Sequence, residues 1–264
     1  HLCCKHFYWL RTNLRYTVRF VSLQNSLMSE RDNYLIQAKL AQSAGRYNEM
    51  ILKLKGVVKY SPDLTTEERN MVNVAYKGAI DSRRTSWLVV ETVEHKSAES
   101  ANEIEMDLIR DYKRKIEKEL TVLCKEIVGM VDDCLLSNAR SAEAAVSFYK
   151  IKADFCRYLT EFQTGDALAA STNSALEAYR DAYSHASSNL QSTNPTRLSV
   201  ALNFSVFYHD IIQSTEKAYE IANESYNFAR HDLNSLPDHA FTDATDIMQI
   251  LKEDIVKWSK ELSR

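Results

Sequence analysis

Lys77 and Arg84 lie seven residues apart, and Lys150 and Arg157 repeat the spacing, with Tyr158 directly after. At 100° per residue, an i,i+7 pair on a helix falls within about 20° on one face and roughly 10.5 Å apart along the axis. Two helices that each present such a pair can converge on one dianion. Arg suits a phosphate because its planar fork binds bidentately, Lys adds a point charge, and Tyr donates a hydroxyl. By spacing alone, four solvated surface cations remain the plainer reading. A second pattern is Leu202, Asn203, Val206 and Asp210, a stripe that runs apolar, amide, apolar, acid. A side-chain amide on such a stripe is either solvated or able to hold the N–H and C=O of an extended peptide.

Other chemistry has little support. There is no GxGxxG, GxxxxGK[ST], HExxH or GxSxG in the chain. Glu91/His95 and Asp181/His185 are i,i+4 pairs that do not fit a Glu-x-x-His metal motif and read as surface pairs. His209 and Asp210 are adjacent and are expected to point in different directions. No catalytic residue, metal site or cofactor is expected. The five cysteines are an odd number without a CxxC pair, which predicts free thiols in a reducing, cytoplasmic setting. A net charge of −3 gives no reason to expect a nucleic-acid partner, and no apolar run reaches the roughly 18 residues of a membrane span.

The elements that must position these residues are helices. Five Gly and three Pro in 264 residues is far below the roughly 30 that average usage would supply, which starves sheets and hairpins of turn residues. The pattern predicts an all-α fold of about nine antiparallel helices: 30–44, 47–60, 66 to about 96, about 102–136, 142–164, 167–191, 196–213, 217–233 and about 242–262. Thr65-Thr66-Glu67-Glu68 reads as a capping box, and Asn194-Pro195 as a helix start. Residues 1–27 carry Lys5, Arg11, Arg15 and Arg19 and no acid. They read as an extension of unclear status: a transit peptide, a vector-derived remnant, or translation upstream of Met28. Ser29-Glu30-Arg31-Asp32 then reads as the capped start of one domain over residues 28–264.

From about Met28 onward the chain resembles 14-3-3 proteins. The passages that carry the resemblance are Arg69 to Lys77, Ser82 to Trp87, Asp154 to Leu159, Asn194 to Leu198, Ala201 to Tyr208 and Ile247 to Leu251. The resemblance implies a nine-helix subunit with a concave amphipathic groove, dimerising through its N-terminal helices with itself or a paralogue. It implies binding of phosphoserine or phosphothreonine segments of client proteins, and no catalysis. On that resemblance Lys77, Arg84, Arg157 and Tyr158 match the phosphate cluster. Asn203 matches the backbone-holding residue and Lys150 a groove lysine. Leu202, Val206, Ile247, Ile250 and Trp258 match the apolar wall, with Asp210 on the same stripe. Arg46, Tyr47 and Glu49 match one side of the dimer seam, and Tyr112, Lys115 and Glu119 the other. Arg46 is expected to reach Glu119 of the partner subunit, and Glu49 to reach Lys115 of the partner subunit.

This sequence also departs from the pattern. Leu88 stands where the family usually has Arg, Asp81 where it has Gly, and Asp254 where it has a second backbone-holding Asn; Asp246 and Lys257 replace apolar wall positions. The expected function is a phosphopeptide-binding adaptor with an altered phosphate pocket. The alternative is a helical dimeric scaffold that binds partners without strict phosphate dependence.

Overall fold

The computed structural model describes residues 29–98, 101–233 and 242–263. Residues 1–28, including the expected extension, lie outside them. Every regular element among the described residues is helical. The chain divides into two compact units, with the boundary between Ser61 and Pro62.

The first unit holds α1 (Glu30–Ser43) and α2 (Tyr47–Tyr60). Ser29 caps α1 as expected: its hydroxyl accepts from the Asp32 N–H at 3.1 Å, and the Asp32 carboxylate accepts from the Ser29 N–H at 3.2 Å. Gly45 sits at φ +66 in the turn, a conformation in which a Cβ would be strained. The two helices close on each other at Gly56. A Cβ there would come within 2.6–2.8 Å of the Tyr34 ring, which also lies 6.0 Å from the Tyr60 ring.

The second unit holds seven helices: α3 (Thr66–Ser97), α4 (Glu103–Met130), α5 (Ala142–Thr160), α6 (Gly165–Asn189), α7 (Pro195–Asp210), α8 (Thr215–Leu233) and α9 (Thr242–Leu262). Thr65 and Glu68 form the expected capping box of α3. Asn194 caps α7, its Oδ1 accepting from the N–H groups of Thr196 and Arg197. Each helix packs against its sequence neighbour, and α3, α5, α7 and α9 also touch in series. That second set of contacts puts the four odd-numbered helices side by side in one layer.

The largest differences from expectation are at three helix ends. The α-helical part of α4 stops at Met130, followed by a π turn (Val131–Leu135) and a 3₁₀ turn (Leu136–Asn138). Asp132 in the π turn accepts from Lys152 of α5 at 2.8 Å. Helix α5 ends at Thr160 rather than 164, where the Thr160 hydroxyl bonds back to the Arg157 carbonyl at 2.7 Å. Helix α7 ends at Asp210 rather than 213, because Gln213 turns left-handed at φ 58 and the Ser214 N–H closes onto the Tyr208 carbonyl.

Ala153, Tyr179, Phe204, Phe207, Leu251 and Trp258 are among the residues of the core behind α5, α7 and α9. Tyr179 and Phe204 stack at 5.5 Å within it.

Gly56→Ala should destabilise the chain. The helix-propensity gain of about 1 kcal/mol is outweighed by displacing the Tyr34 ring, an overpacking cost of about 1–3 kcal/mol. Urea unfolding should show a lower midpoint, and the loss should vanish in a Tyr34→Ala background.

Candidate functional site

The candidate residues lie on four helices. Lys77 and Arg84 come from α3; Lys150, Arg157 and Tyr158 from α5; Leu202, Asn203, Val206 and Asp210 from α7; and Ile247, Ile250, Asp254 and Trp258 from α9. These are the odd-numbered helices that touch in series, so the residues singled out from the sequence share one layer. A cleft of about 300 Å³ opens among the same four helices, lined by Arg69, Asn73, Lys150, Ser199 and Ile247, among others.

The cation cluster is built around Tyr158. The Arg84 guanidinium lies 5.2 Å from the centre of the Tyr158 ring, and that of Arg157 lies 4.8 Å from it. Both arginines also share one carboxylate: Arg84 Nε donates to Glu161 Oε2 at 2.6 Å, and Arg157 Nη1 donates to Glu161 Oε1 at 3.2 Å. Arg84 Nη1 meets Asp81 Oδ1 at 3.3 Å. Burial, with Asp154 adding to it, pushes the Tyr158 phenol up to about 12, so it stays protonated and able to donate. Lys77 is exposed and makes no ion pair among the described residues. Leu88 is 55% exposed, a bare apolar side chain one turn beyond Arg84.

Beside this cluster sits a buried carboxylate. Asp154 Oδ2 accepts from Lys150 Nζ at 2.7 Å, while Oδ1 accepts from Tyr179 Oη at 2.6 Å and Asn203 Nδ2 at 2.9 Å. Burial alone would raise its pKa. The Lys150 charge and the hydrogen bonds from Lys150, Tyr179 and Asn203 instead hold it below the usual carboxylate range.

The α9 side differs from a plain apolar wall. Trp258 is 2% exposed, so its ring is part of the core and supports the wall instead of facing solvent. Ile250 is exposed, while Ile247, Leu202 and Val206 are half-buried. Burial raises the pKa of Asp254, and the charge of Asp210 adds to the rise. His209 corrects the expectation that it would diverge from Asp210. In the last turn of α7 its Nδ1 lies 2.6 Å from Asp210 Oδ1, its Nε2 lies 3.0 Å from Glu261 Oε2 of α9, and its ring stacks on Trp258 at 5.3 Å.

Sequence reasoning did not pick out Glu161, Tyr179 or the role of Asp154. Glu161 is i+4 from Arg157 and Asp154 is i+4 from Lys150, so helical spacing carried a signal for both. Nothing local pointed to Tyr179, which is 25 residues from Asp154.

Comparison with known proteins decides the family. The 14-3-3 protein family model matches residues 37–259, across both compact units. The chain belongs to the 14-3-3 family. It is similar to Protein BMH2 of Saccharomyces cerevisiae, at 41% identity over 88% of this chain and 86% of that protein. It is also similar to 14-3-3-like protein C of Glycine max, at 38% identity over 88% and 90%. Checkpoint signal transducer rad24 of Schizosaccharomyces pombe matches at 39% identity over 88% and 86%. As a 14-3-3 protein the chain is a regulatory adaptor that binds client proteins, and not an enzyme. No helix among the described residues is long and apolar enough to cross a membrane, and no group of three or more His, Cys, Asp or Glu among them could hold a metal ion.

The residues matched to a dimer seam are accounted for unit by unit. In the first, Tyr47 is half-buried, and Arg46 and Glu49 pair with each other, Nε to Oε2 at 2.8 Å. In the second, Tyr112 is exposed, Lys115 Nζ lies 6.0 Å from its ring centre, and Glu119 accepts from Arg83 Nε at 3.0 Å.

The His209 contacts make a pH-dependent link between α7 and α9. Burial opposes the imidazolium, but Asp210 and Glu261 outweigh it and raise the pKa above the ordinary 6.5. The stabilisation is therefore complete below 6.5 and is lost as pH rises through the elevated value. The melting temperature of the wild type should exceed that of His209→Gln near pH 6, with the gap narrowing as pH rises through the elevated pKa.

Proposed function

We propose that this 14-3-3 protein binds phosphoserine or phosphothreonine segments of client proteins along α3, α5, α7 and α9, as a dimer, with an altered phosphate pocket. The supporting observation is the shared carboxylate. Arginines from two helices already take one anion between them, so a doubly charged phosphate oxygen cluster can occupy the same fork with stronger, bidentate hydrogen bonds. Lys77, which has no competing ion pair, adds the third cation, and the protonated Tyr158 hydroxyl a fourth donor. Asn203 and Lys150 hold the peptide backbone beside it, and the half-buried apolar residues of α7 and α9 take the flanking side chains.

The alteration is electrostatic. Asp81 already engages Arg84, and Leu88 contributes no charge where the family usually has one. An incoming phosphate therefore competes with two acids, Asp81 and Glu161, for Arg84. This competition also motivates the second reading, a dimeric scaffold that binds partners without strict phosphate dependence. Titrating one serine peptide with and without its phosphate separates them: the first reading expects affinity only with phosphate, the second equal affinity.

Dimerisation through α1 and α2 of one subunit and α3 and α4 of the other is part of this reading. Arg46 and Glu49 would then exchange their mutual pair for Glu119 and Lys115 of the partner subunit. Exposed pairs contribute only about 0–1 kcal/mol each. Exposed apolar groups such as Leu40, Val89 and Val93 must supply most of the affinity. Sedimentation should show a dimer at micromolar concentration; a monomer would refute this part.

Two sets of variants test the pocket. Arg84→Ala and Arg157→Ala should each weaken a phosphoserine peptide by about tenfold or more, since each removes charge-assisted hydrogen bonds. Unchanged affinity in both would remove the assignment. Asp81→Ala combined with Leu88→Arg should tighten the same peptide by roughly three- to tenfold at low salt, less in high salt where exposed charges are screened. Calorimetry at two salt concentrations measures both effects.

A further inference from the structure

Asn203 has an ambiguous side chain. Its amide presents an oxygen on one side and an NH₂ on the other, and a half-turn about the last torsion exchanges them. Which group faces the groove decides whether Asn203 accepts from a peptide N–H or only donates to a peptide C=O. The groups around it remove the ambiguity. Asp154 is 7% exposed and its carboxylate is an acceptor only. The amide must therefore turn its nitrogen toward Asp154 Oδ1, and it does so at 2.9 Å. The reverse orientation would set two oxygens against each other inside the protein. Tyr179 reinforces the arrangement. Its hydroxyl donates to the same Oδ1 at 2.6 Å, and burial raises the phenol well above its ordinary pKa, so it remains a donor. Lys150 completes the set by donating to Oδ2 at 2.7 Å, which keeps the carboxylate ionised.

We propose that Asp154 is the positioning residue of the peptide-backbone contact, fixing the Asn203 amide so that its oxygen and its second N–H both face the groove. The inference rests on the reading that this groove binds a phosphopeptide. Asp154 touches no peptide itself; it acts through Asn203. Three helices take part, α5 through Asp154, α6 through Tyr179 and α7 through Asn203, so the amide is set on rigid elements.

Asp154→Asn tests this with little change in shape. An amide at position 154 offers both a donor and an acceptor, so Asn203 is free to adopt either orientation. The substitution also releases the Lys150 charge, so peptide binding is best measured in about 0.5 M salt, where the screening length falls to a few ångströms. Under those conditions Asp154→Asn should weaken a phosphoserine peptide by roughly fivefold, the effect of losing about one net hydrogen bond. In an Asn203→Ala background the same change should cost less than about twofold, because the residue it acts through is gone. Equal losses in both backgrounds, or no loss in either, would overturn the proposal. Circular dichroism confirms that each variant is folded. Should Asp154→Asn fail to fold, Tyr179→Phe serves instead. It removes one of the two donors that fix Oδ1, so affinity should fall by roughly twofold in the wild type and stay unchanged in an Asn203→Ala background, whereas no loss, or equal losses in both, would contradict the assignment.

The NMR signal of the Asn203 side-chain NH₂ gives a readout without peptide. In the wild type one of its two protons should be shifted and protected by the carboxylate, and Asp154→Asn should abolish the difference. If the wild type binds no phosphopeptide, the functional reading fails while this signal still decides whether Asp154 orients Asn203. If the peptide binds and the NH₂ signal is unaffected by Asp154→Asn, the functional reading stands and this inference fails.

Discussion

A carboxylate sealed inside a helical protein costs several kcal/mol unless donors surround it. Asp154 is such a group, and its three donors come from α5, α6 and α7. Meeting that requirement brings Tyr179 up from α6 and Asn203 across from α7, beside the Tyr179–Phe204 stack in the core. The residues that would meet a client are thus tied to the interior by one charge. A cation cluster one turn further along α5 inherits its rigidity, because Arg157 and Tyr158 follow Asp154 on the same helix.

The second organising feature is the way the second unit packs. Helices that touched only their sequence neighbours would distribute their polar faces around the molecule. Contacts in series among α3, α5, α7 and α9 bring these four helices together as well. Lys77, Arg84, Lys150, Arg157, Asn203 and Asp254 then stand on one layer although 177 positions separate the first from the last in the numbering. Burial of Trp258 and its stacking on His209 carry the α9 side of that layer on the core.

Membership in the 14-3-3 family accounts for the helical architecture, and the departures singled out from the sequence concern charge and polarity. Asp81 next to Arg84, Leu88 without charge and Asp254 beside Asp210 all stand on helices whose course they leave unaltered. A helix tolerates exposed substitutions because backbone hydrogen bonds and buried apolar residues define it. The exposed residues of these helices can therefore diverge while the fold stays fixed.

The sequence by itself determined the helical class and, to within two residues, every helix start. Scarcity of Gly and Pro, capping residues such as Ser29, Thr65 and Asn194, and helical spacing are local properties that a chain carries before it folds. The ends of α5 and α7 were misplaced because the backbone there is closed by bonds no spacing rule reads, the Thr160 hydroxyl to the Arg157 carbonyl and the Ser214 N–H to the Tyr208 carbonyl. Only the tertiary structure decided which charges are spoken for. That Arg84 and Arg157 share Glu161, that Asp154 meets Tyr179 and Asn203, and that Trp258 is buried are facts about segments brought together by the burial of apolar surface. Partners 25, 49 or 77 residues apart leave no periodic trace in the sequence.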